Sequence, residues 1–196
     1  MRALGIDPVH GTRETFDALV DAMSHPGTVR TAPEPADHAV LATLVDHEVT
    51  VATDDDELRE SLAAEGRLAA AATGAAAFVH VAGDAAGAAD AVRDAPRGAL
   101  TEPSNGATVV CRVDGLDADV APDDPVADRR AVDYQSLRLA GPGVSGERIL
   151  GVAGVAGDVV DAVVEAGSAF PRGVDVVLTT ERQVAALPRS VDLEVV

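Results

Sequence analysis

The arginines best suited to bind an anion lie beside glycine and proline turns in the second half of the chain. Arg148 follows the stretch Gly141-Pro142-Gly143-Val144-Ser145-Gly146, and Arg189 follows Pro188. A guanidinium group matches the geometry of a phosphate, and the backbone amides of a glycine-rich loop can also meet an anion. For each arginine the alternative is an ion pair within the chain. The candidate ligand-binding residues are Gly141, Gly143, Arg148, Asp175 and Arg189.

The same glycine stretch matches the pattern G-x-G-x-x-G, but the residues after it do not fit a dinucleotide-binding fold. In that fold the pattern opens a helix, and an acidic residue ends the next strand about 20 positions later. Here Gly151 and Gly154 interrupt the expected helix. We therefore favour a tight turn or an anion-binding loop.

Other nucleotide, cofactor and metal chemistries find little support in the sequence. The chain contains no lysine, which excludes a lysine-containing P-loop and a Schiff base to pyridoxal phosphate. The histidines lack the spacing of metal ligands, so we expect surface or capping roles for most of them. They are His10, His25, His38, His47 and His80. The sequence predicts no metal ion and no cofactor, and it identifies no catalytic residue.

The C-terminal part of the chain predicts a β-hairpin that contains Asp175. A β-branched run from Val174 to Thr180 is followed by the turn Glu181-Arg182 and a second apolar run from Gln183 to Leu187. A carboxylate near the start of a central strand needs a partner, and Arg189 or a backbone amide is suited to that role. Alternatively, Asp175 only caps the turn. The second run is also a candidate sheet edge for pairing with another chain.

Strands and helices alternate along the rest of the chain, which predicts an α/β domain with a mixed sheet. The first helix is expected to begin with Thr12 as its N-cap. Its predicted apolar face consists of Phe16, Leu19, Val20 and Met23. Cys111 lies in a strand pattern and is expected to be buried. We expect one domain over residues 1–196, in which the aspartate-rich residues 114–135 form an exposed acidic insertion.

The composition is strongly acidic. The formal net charge is −18, and all 15 basic residues are arginines. Because 47% of the residues are hydrophobic, the chain has enough apolar side chains for a core. We interpret the acidity as the surface of a halophilic protein, whose charge repulsion is screened by salt; the alternative is an acidic mesophilic protein. Such a surface disfavours nucleic acid and membranes as partners.

The expected location is the cytoplasm. No apolar run approaches the ~20 residues of a transmembrane helix. The first residues also lack the apolar region of a signal peptide.

Several stretches resemble the H subunit of the carbon–phosphorus lyase system, the PhnH family of phosphonate metabolism. The first contains the turn Ala22-Met23-Ser24-His25-Pro26-Gly27 after the segment that begins at Arg13. The others are Leu137 to Arg148, Phe170 to Thr179 and Leu187 to Ser190, and Pro103 and Gly106-Ala107-Thr108 also fit. These stretches occur in the family's order and include both ends of the chain. Residues 30–97 match poorly, and 114–135 lies outside the pattern.

The resemblance implies a fold and a function. The implied fold is a three-layer α/β/α domain similar to the large domain of pyridoxal-phosphate-dependent transferases, without that cofactor. The implied function is that of a non-autonomous subunit, which acts with the G, I and L subunits to join methylphosphonate to the ribose of ATP. Adenine leaves, and ribose 1-methylphosphonate 5-triphosphate is formed. The implied partners are the G, I and J subunits, with a homodimer in isolation, and the family has no agreed catalytic residues in this subunit.

Two other classes of protein stay open at this point. One is a stand-alone nucleotide- or phosphate-binding α/β enzyme, which would show activity or tight ligand binding as a purified chain. The other is a purely structural assembly subunit, which would form a complex without any ligand footprint.

Overall fold

The fold combines a large mixed sheet, a small antiparallel sheet and helices on both faces of the large sheet. A computed structural model of the chain describes residues 5–82, 87–118 and 134–196. Within these ranges the helices are α1 (His10–Ser24), α2 (Ala36–Leu44), α3 (Asp56–Ala64), α4 (Ala88–Asp94) and α5 (Gly157–Gly167). The strands are β1 (Arg30–Thr31), β2 (Thr50–Ala52), β3 (Ala69–Ala70), β4 (Phe78–Val81), β5 (Thr108–Arg112), β6 (Gly115–Ala118), β7 (Tyr134–Ala140), β8 (Glu147–Ala153), β9 (Asp175–Thr179), β10 (Gln183–Leu187) and β11 (Asp192–Val195).

The large sheet has seven strands in the order β1-β10-β9-β5-β4-β2-β3. Strands β9, β5, β4, β2 and β3 are parallel to one another. Strand β10 is antiparallel to both β9 and β1. The predicted α/β organisation with a mixed sheet is therefore confirmed, and so is the C-terminal hairpin.

Different elements cover the two faces of the large sheet. Helices α1, α2 and α3 cover one face, where Leu41 and Leu58 pack in one apolar cluster with strand residues such as Val177. Helices α4 and α5 cover the other face, together with the small sheet. The buried Cys111 belongs to this second cluster, as the sequence predicts, and burial raises the pKa of its thiol to about 12.

The small sheet was not predicted. Its four strands have the order β11-β7-β8-β6, and each pairs antiparallel with its neighbour. Its apolar side chains, including Leu139 and Leu150, join the core cluster of the large sheet. The predicted acidic insertion at 114–135 is wrong at both ends, because β6 and the start of β7 lie there and Leu116 is buried. Residues 119–133 lie outside the described residues.

Helix α1 buries only part of the predicted face: Leu19 is buried and Met23 packs against the core cluster, as expected. Its buried residues are Gly11, Thr15, Leu19 and Ala22. Phe16 and Val20 are 52% and 48% exposed. Small side chains allow α1 to lie close to its neighbours, so the face with the smaller residues packs inward. The predicted N-cap is also wrong: the Asp7 carboxylate accepts hydrogen bonds from the amides of Val9 and His10, and Thr12 lies inside the helix.

Strand β10 is not the edge of the sheet, contrary to the prediction. Strand β1 pairs with it, with Arg30 opposite Val184 and Thr31 opposite Gln183. The two-residue strand β1 ends the sheet on this side. The edge lies beside α1 and not at the C-terminal hairpin.

No helix in the described ranges combines the length and the apolar character needed to cross a bilayer.

Candidate functional site

The structure pairs two of the predicted site residues, Asp175 and Arg189. Asp175 begins β9, and its carboxylate accepts hydrogen bonds from the backbone amide of Arg189 at 2.9 Å and from Arg189 Nε at 3.1 Å. Both partners that the sequence suggested for Asp175 are therefore present. The two side chains are 19% and 14% exposed.

The Arg189 guanidinium also reaches a third segment of the chain. Nη1 donates a hydrogen bond to the Pro103 carbonyl at 2.6 Å, and Nη2 donates one to the Gly106 carbonyl at 3.4 Å. A Cβ atom at position 106 would collide with Arg189 Nη1 and with the Gly173 carbonyl. Gly106 thus provides the space that the guanidinium occupies. Arg189 joins the segment before β5, the start of β9 and the segment after β10.

The other predicted site residues are Gly141 and Gly143, in the turn between β7 and β8, and Arg148, near the start of β8. Strand β8 follows this turn directly, so Gly141 and Gly143 belong to a tight β-turn connection, and no helix of a dinucleotide-binding fold begins there. Gly143 has φ +81, and a Cβ there would lie 2.6 Å from the Ser24 carbonyl oxygen. A Cβ at Gly27 would lie 3.2 Å from Cβ of Arg148. The β7–β8 turn therefore packs against the turn that ends α1.

Gly141 connects these two groups of residues. A Cβ at Gly141 would lie 3.4 Å from the carbonyl oxygen of Ser190, the neighbour of Arg189. The stretches on which the family resemblance depends are far apart in sequence, yet the structure brings them into one continuous region. Gly143 and Arg148 lie near Ser24–Gly27, whereas Asp175 and Arg189 lie near Pro103–Gly106.

A second, more deeply buried cluster was missed by the sequence analysis. The side chains of Asp37 on α2 and His80 on β4 are both 0% exposed, and His80 Nε2 lies 3.1 Å from Asp37 Oδ2. Arg112 at the end of β5 donates a hydrogen bond from Nη2 to Asp37 Oδ1 at 2.7 Å. Burial acts to raise the pKa of Asp37, but the hydrogen bonds from His80 and Arg112 outweigh it and lower that pKa to about 2. Asp37 is therefore a carboxylate at neutral pH.

The ionised Asp37 sets the hydrogen bonding of its neighbours. A carboxylate can only accept, so His80 donates to it from Nε2, and His80 Nδ1 faces the Thr53 hydroxyl. The Thr53 hydroxyl lies 2.9 Å from His80 Nδ1, within hydrogen-bond distance. Thr53, His80 and Asp37 form a hydrogen-bonded chain that is able to pass a proton between the Thr53 hydroxyl and the imidazole.

A second histidine–aspartate pair, His38 and Asp55, lies beside this hydrogen-bonded chain. His38 Nε2 lies 2.9 Å from Asp55 Oδ2, and Asp55 also accepts the amide of Leu58 as the N-cap of α3. Burial opposes the ionisation of Asp55, but the Leu58 amide and His38 lower its pKa. The expectation that most histidines lie at the surface is confirmed for His10, His25 and His47, which are exposed. The other two, His38 and His80, are buried and each 4% exposed. The sequence signals were an Asp-His pair in an apolar helix and a histidine in an apolar strand.

The buried cluster lies where α/β sheets commonly bind ligands. After β2 the chain runs through α3 to β3 on one side, whereas β4 pairs on the other side of β2. Helices α3 and α4 cover opposite faces of the sheet, which leaves a crevice at the carboxyl ends of β2 and β4. A cavity of about 410 Å³ occupies this place, with Thr53, Asp54, Thr73 and His80 in its lining.

Comparison with known proteins agrees with the resemblance seen in the sequence. A model of the PhnH family, described as a bacterial phosphonate metabolism protein, matches residues 5–194. The chain is also 32% identical over 179 residues to the putative C-P lyase subunit protein HtxG of Stutzerimonas stutzeri. That match covers 89% of this chain and 82% of HtxG. Because the family model spans nearly all of the described residues, the chain belongs to the PhnH family of bacterial phosphonate metabolism proteins.

Proposed function

We propose that this chain is a non-autonomous subunit of a carbon–phosphorus lyase complex. In this role it acts with the G, I and L subunits to form ribose 1-methylphosphonate 5-triphosphate and adenine from ATP and methylphosphonate. The observation that carries the proposal is the PhnH family match over residues 5–194. The similarity to HtxG, named a putative C-P lyase subunit, supports it. Its proposed partners are the G, I and J subunits in the cytoplasm, and in isolation the proposed state is a homodimer.

The geometry favours a ligand-binding role within such a complex over a purely structural one. The hydrogen-bonded chain of Thr53, His80 and Asp37 borders a cavity at the strand ends, and burying the ionised Asp37 there is costly unless hydrogen bonds compensate. A purely structural subunit has no need of this arrangement beside a cavity. The proposed function requires neither a metal ion nor a cofactor in this chain. The similarity of the fold to the large domain of pyridoxal-phosphate-dependent transferases stays a prediction.

Reconstitution of the complex tests the proposed function. The chain is mixed with the G, I and L subunits, ATP and methylphosphonate, and the products are followed by phosphorus NMR and by adenine release. We expect the ribose phosphonate product only when this chain is present. Arg182→Ala, a change at a side chain that is 70% exposed, serves as the active control. Equal product formation without the chain, or turnover by the chain alone, would refute the proposal.

We propose that the predicted anion site lies around the β7–β8 turn. Its members are Gly141, Gly143, Arg148, Asp175 and Arg189, and its ligand is a phosphonate or a nucleotide phosphate. In this proposal Arg148 and the glycine turn contact the ligand, whereas Arg189 and Asp175 bind each other and hold the segment beside it. Support comes from the contacts that join the two turns to the segment around Arg189. Glycine-rich turns beside a guanidinium group suit an anion.

Arg148→Ala separates a binding role from a structural role in this region. Arg148 is half-buried on β8, so its loss should leave the fold and the assembled complex intact. If it binds substrate phosphate, product formation should fall at least about tenfold, since a charge-assisted hydrogen bond contributes roughly 1.5–3 kcal/mol. Assembly is measured by size-exclusion chromatography and product by phosphorus NMR. A variant that no longer assembles assigns Arg148 to the scaffold, and a fully active variant removes it from the site.

A further inference from the structure

Helix α1 presents an apolar stripe to solvent. Val9, at its N-cap, Phe16 and Val20 are spaced by seven and four residues, which places them on the same side of the helix. They are 67%, 52% and 48% exposed. Phe16 is one of only three phenylalanines in the chain. Clustered exposure of large apolar side chains in an otherwise acidic surface marks an interaction site.

One flank of the α1 stripe is acidic. Glu14, Asp17 and Asp21 line an open groove of about 540 Å³ between α1 and β1. Arg30, in the same groove, pairs through Nε with Asp21 and lowers the pKa of that carboxyl. Asp17 lies 3.9 Å from Arg13, and both of these side chains are largely exposed, so their pairing is weak. Three carboxylates thus face two guanidinium groups along this flank, with the His25 imidazole also 2.8 Å from Asp21 Oδ1, and a basic partner fits it.

A second copy of this chain fits the stripe poorly. A two-fold contact through α1 would place the same acidic flank on both sides of the interface, and each chain already carries a net charge of −18. We propose that the α1 stripe docks another subunit of the carbon–phosphorus lyase complex. That subunit meets the stripe with an apolar patch and meets the groove with arginine or lysine side chains. This assignment of the partner rests on the proposed function.

The apolar stripe carries the affinity, and the acidic flank selects the partner where the ionic strength is low. At high ionic strength the Debye length is ~3 Å, so charge pairs at the rim contribute little to affinity. Excluded salts do not weaken apolar burial, and sulfate or phosphate strengthen it. Exposed phenylalanine and valine side chains are therefore suited to hold a complex together in the medium that the composition predicts.

Binding of the G, I and J subunits to variants of α1 tests the proposal. We expect Phe16→Asp with Val20→Asp to raise the dissociation constant at least about tenfold and to abolish co-elution. Val164→Asp is the matched control, because it makes the same kind of change on α5 at a residue that is 40% exposed. Glu14→Arg with Asp17→Arg should also weaken binding at low salt, whereas Glu60→Arg on α3 should not. Circular dichroism and thermal unfolding verify that each variant is folded.

The outcomes separate this inference from the proposed function. If the wild-type chain binds none of the subunits, both the proposed function and this partner are refuted. A wild-type complex that tolerates Phe16→Asp with Val20→Asp refutes the docking surface alone. A wild-type homodimer that these substitutions convert to a monomer assigns the stripe to a second copy and likewise refutes the proposal.

Discussion

Replacing Asp37 with alanine is expected to lower the free energy of unfolding by about 3–5 kcal/mol. The Asp37 carboxylate is fully buried and accepts hydrogen bonds from His80 and Arg112, and its removal leaves both donors without their partner. The melting temperature should fall by roughly 10 °C, since 1 kcal/mol corresponds to about 2–4 °C in a chain of this size. Chemical and thermal unfolding measure the loss. Asp90→Ala, at a side chain that is 81% exposed, is the control and should change stability by less than about 0.5 kcal/mol.

The pH dependence of Asp37→Asn provides a second measurement on the same group. The pKa of Asp37 is lowered from 3.8 to about 2 in the folded chain, so the folded state binds its proton less readily than the unfolded state. The stabilisation by this carboxylate is therefore complete above about pH 4 and is lost as the pH falls through about 2. The stability difference between wild type and Asp37→Asn should shrink over this interval. A difference that stays constant down to pH 2 would contradict the assigned ionisation.

Replacing Arg189 with alanine is expected to destabilise the fold by about 3–5 kcal/mol. The substitution leaves the largely buried Asp175 carboxylate without its guanidinium partner and frees the carbonyls of Pro103 and Gly106. Thermal unfolding measures the loss, and Arg182→Ala, whose ion pair with Glu34 is exposed, is the control. Asp175→Ala combined with Arg189→Ala should recover part of the stability, because no unpaired charge is then buried.

The Arg189 result also decides between two roles for that residue. A variant that keeps the wild-type melting temperature but abolishes product formation would make Arg189 a ligand-binding residue. A variant that melts well below the wild type would make it a structural clamp between three segments. We expect the second result, because five hydrogen bonds already engage the Arg189 side chain with Asp175, Pro103 and Gly106.

Local sequence signals predicted the elements whose neighbours along the chain also pair in space. The hairpin of β9 and β10 followed from two apolar runs separated by a polar turn. The small sheet escaped prediction because β11 pairs with β7 across some 50 residues of sequence and β6 is only four residues long. Periodicity also failed to distinguish two adjacent stripes of α1, since packing against α2 and β10 decides which one is buried.

In the candidate site, too, contacts between residues close in sequence were predicted, and contacts between distant residues were not. Asp175 was recognised because a charge inside an apolar strand is costly, and its partner lay only 14 residues away. The Asp37–His80 pair spans 43 residues and depends on how α2 lies over β4. No local pattern reports such a contact. The prediction that β10 forms the sheet edge was wrong for a related reason, because its partner β1 lies near the other end of the sequence.

The contact between Gly106 and Arg189 has a consequence for the evolution of the family. The guanidinium group fills the space that a side chain at position 106 would need, although these residues are 83 positions apart. An added methyl group at 106 would also collide with the Gly173 carbonyl oxygen, so a shorter residue at 189 would not by itself make room for it. Among homologues that keep this backbone, position 106 should therefore stay glycine even where the arginine at 189 has been replaced.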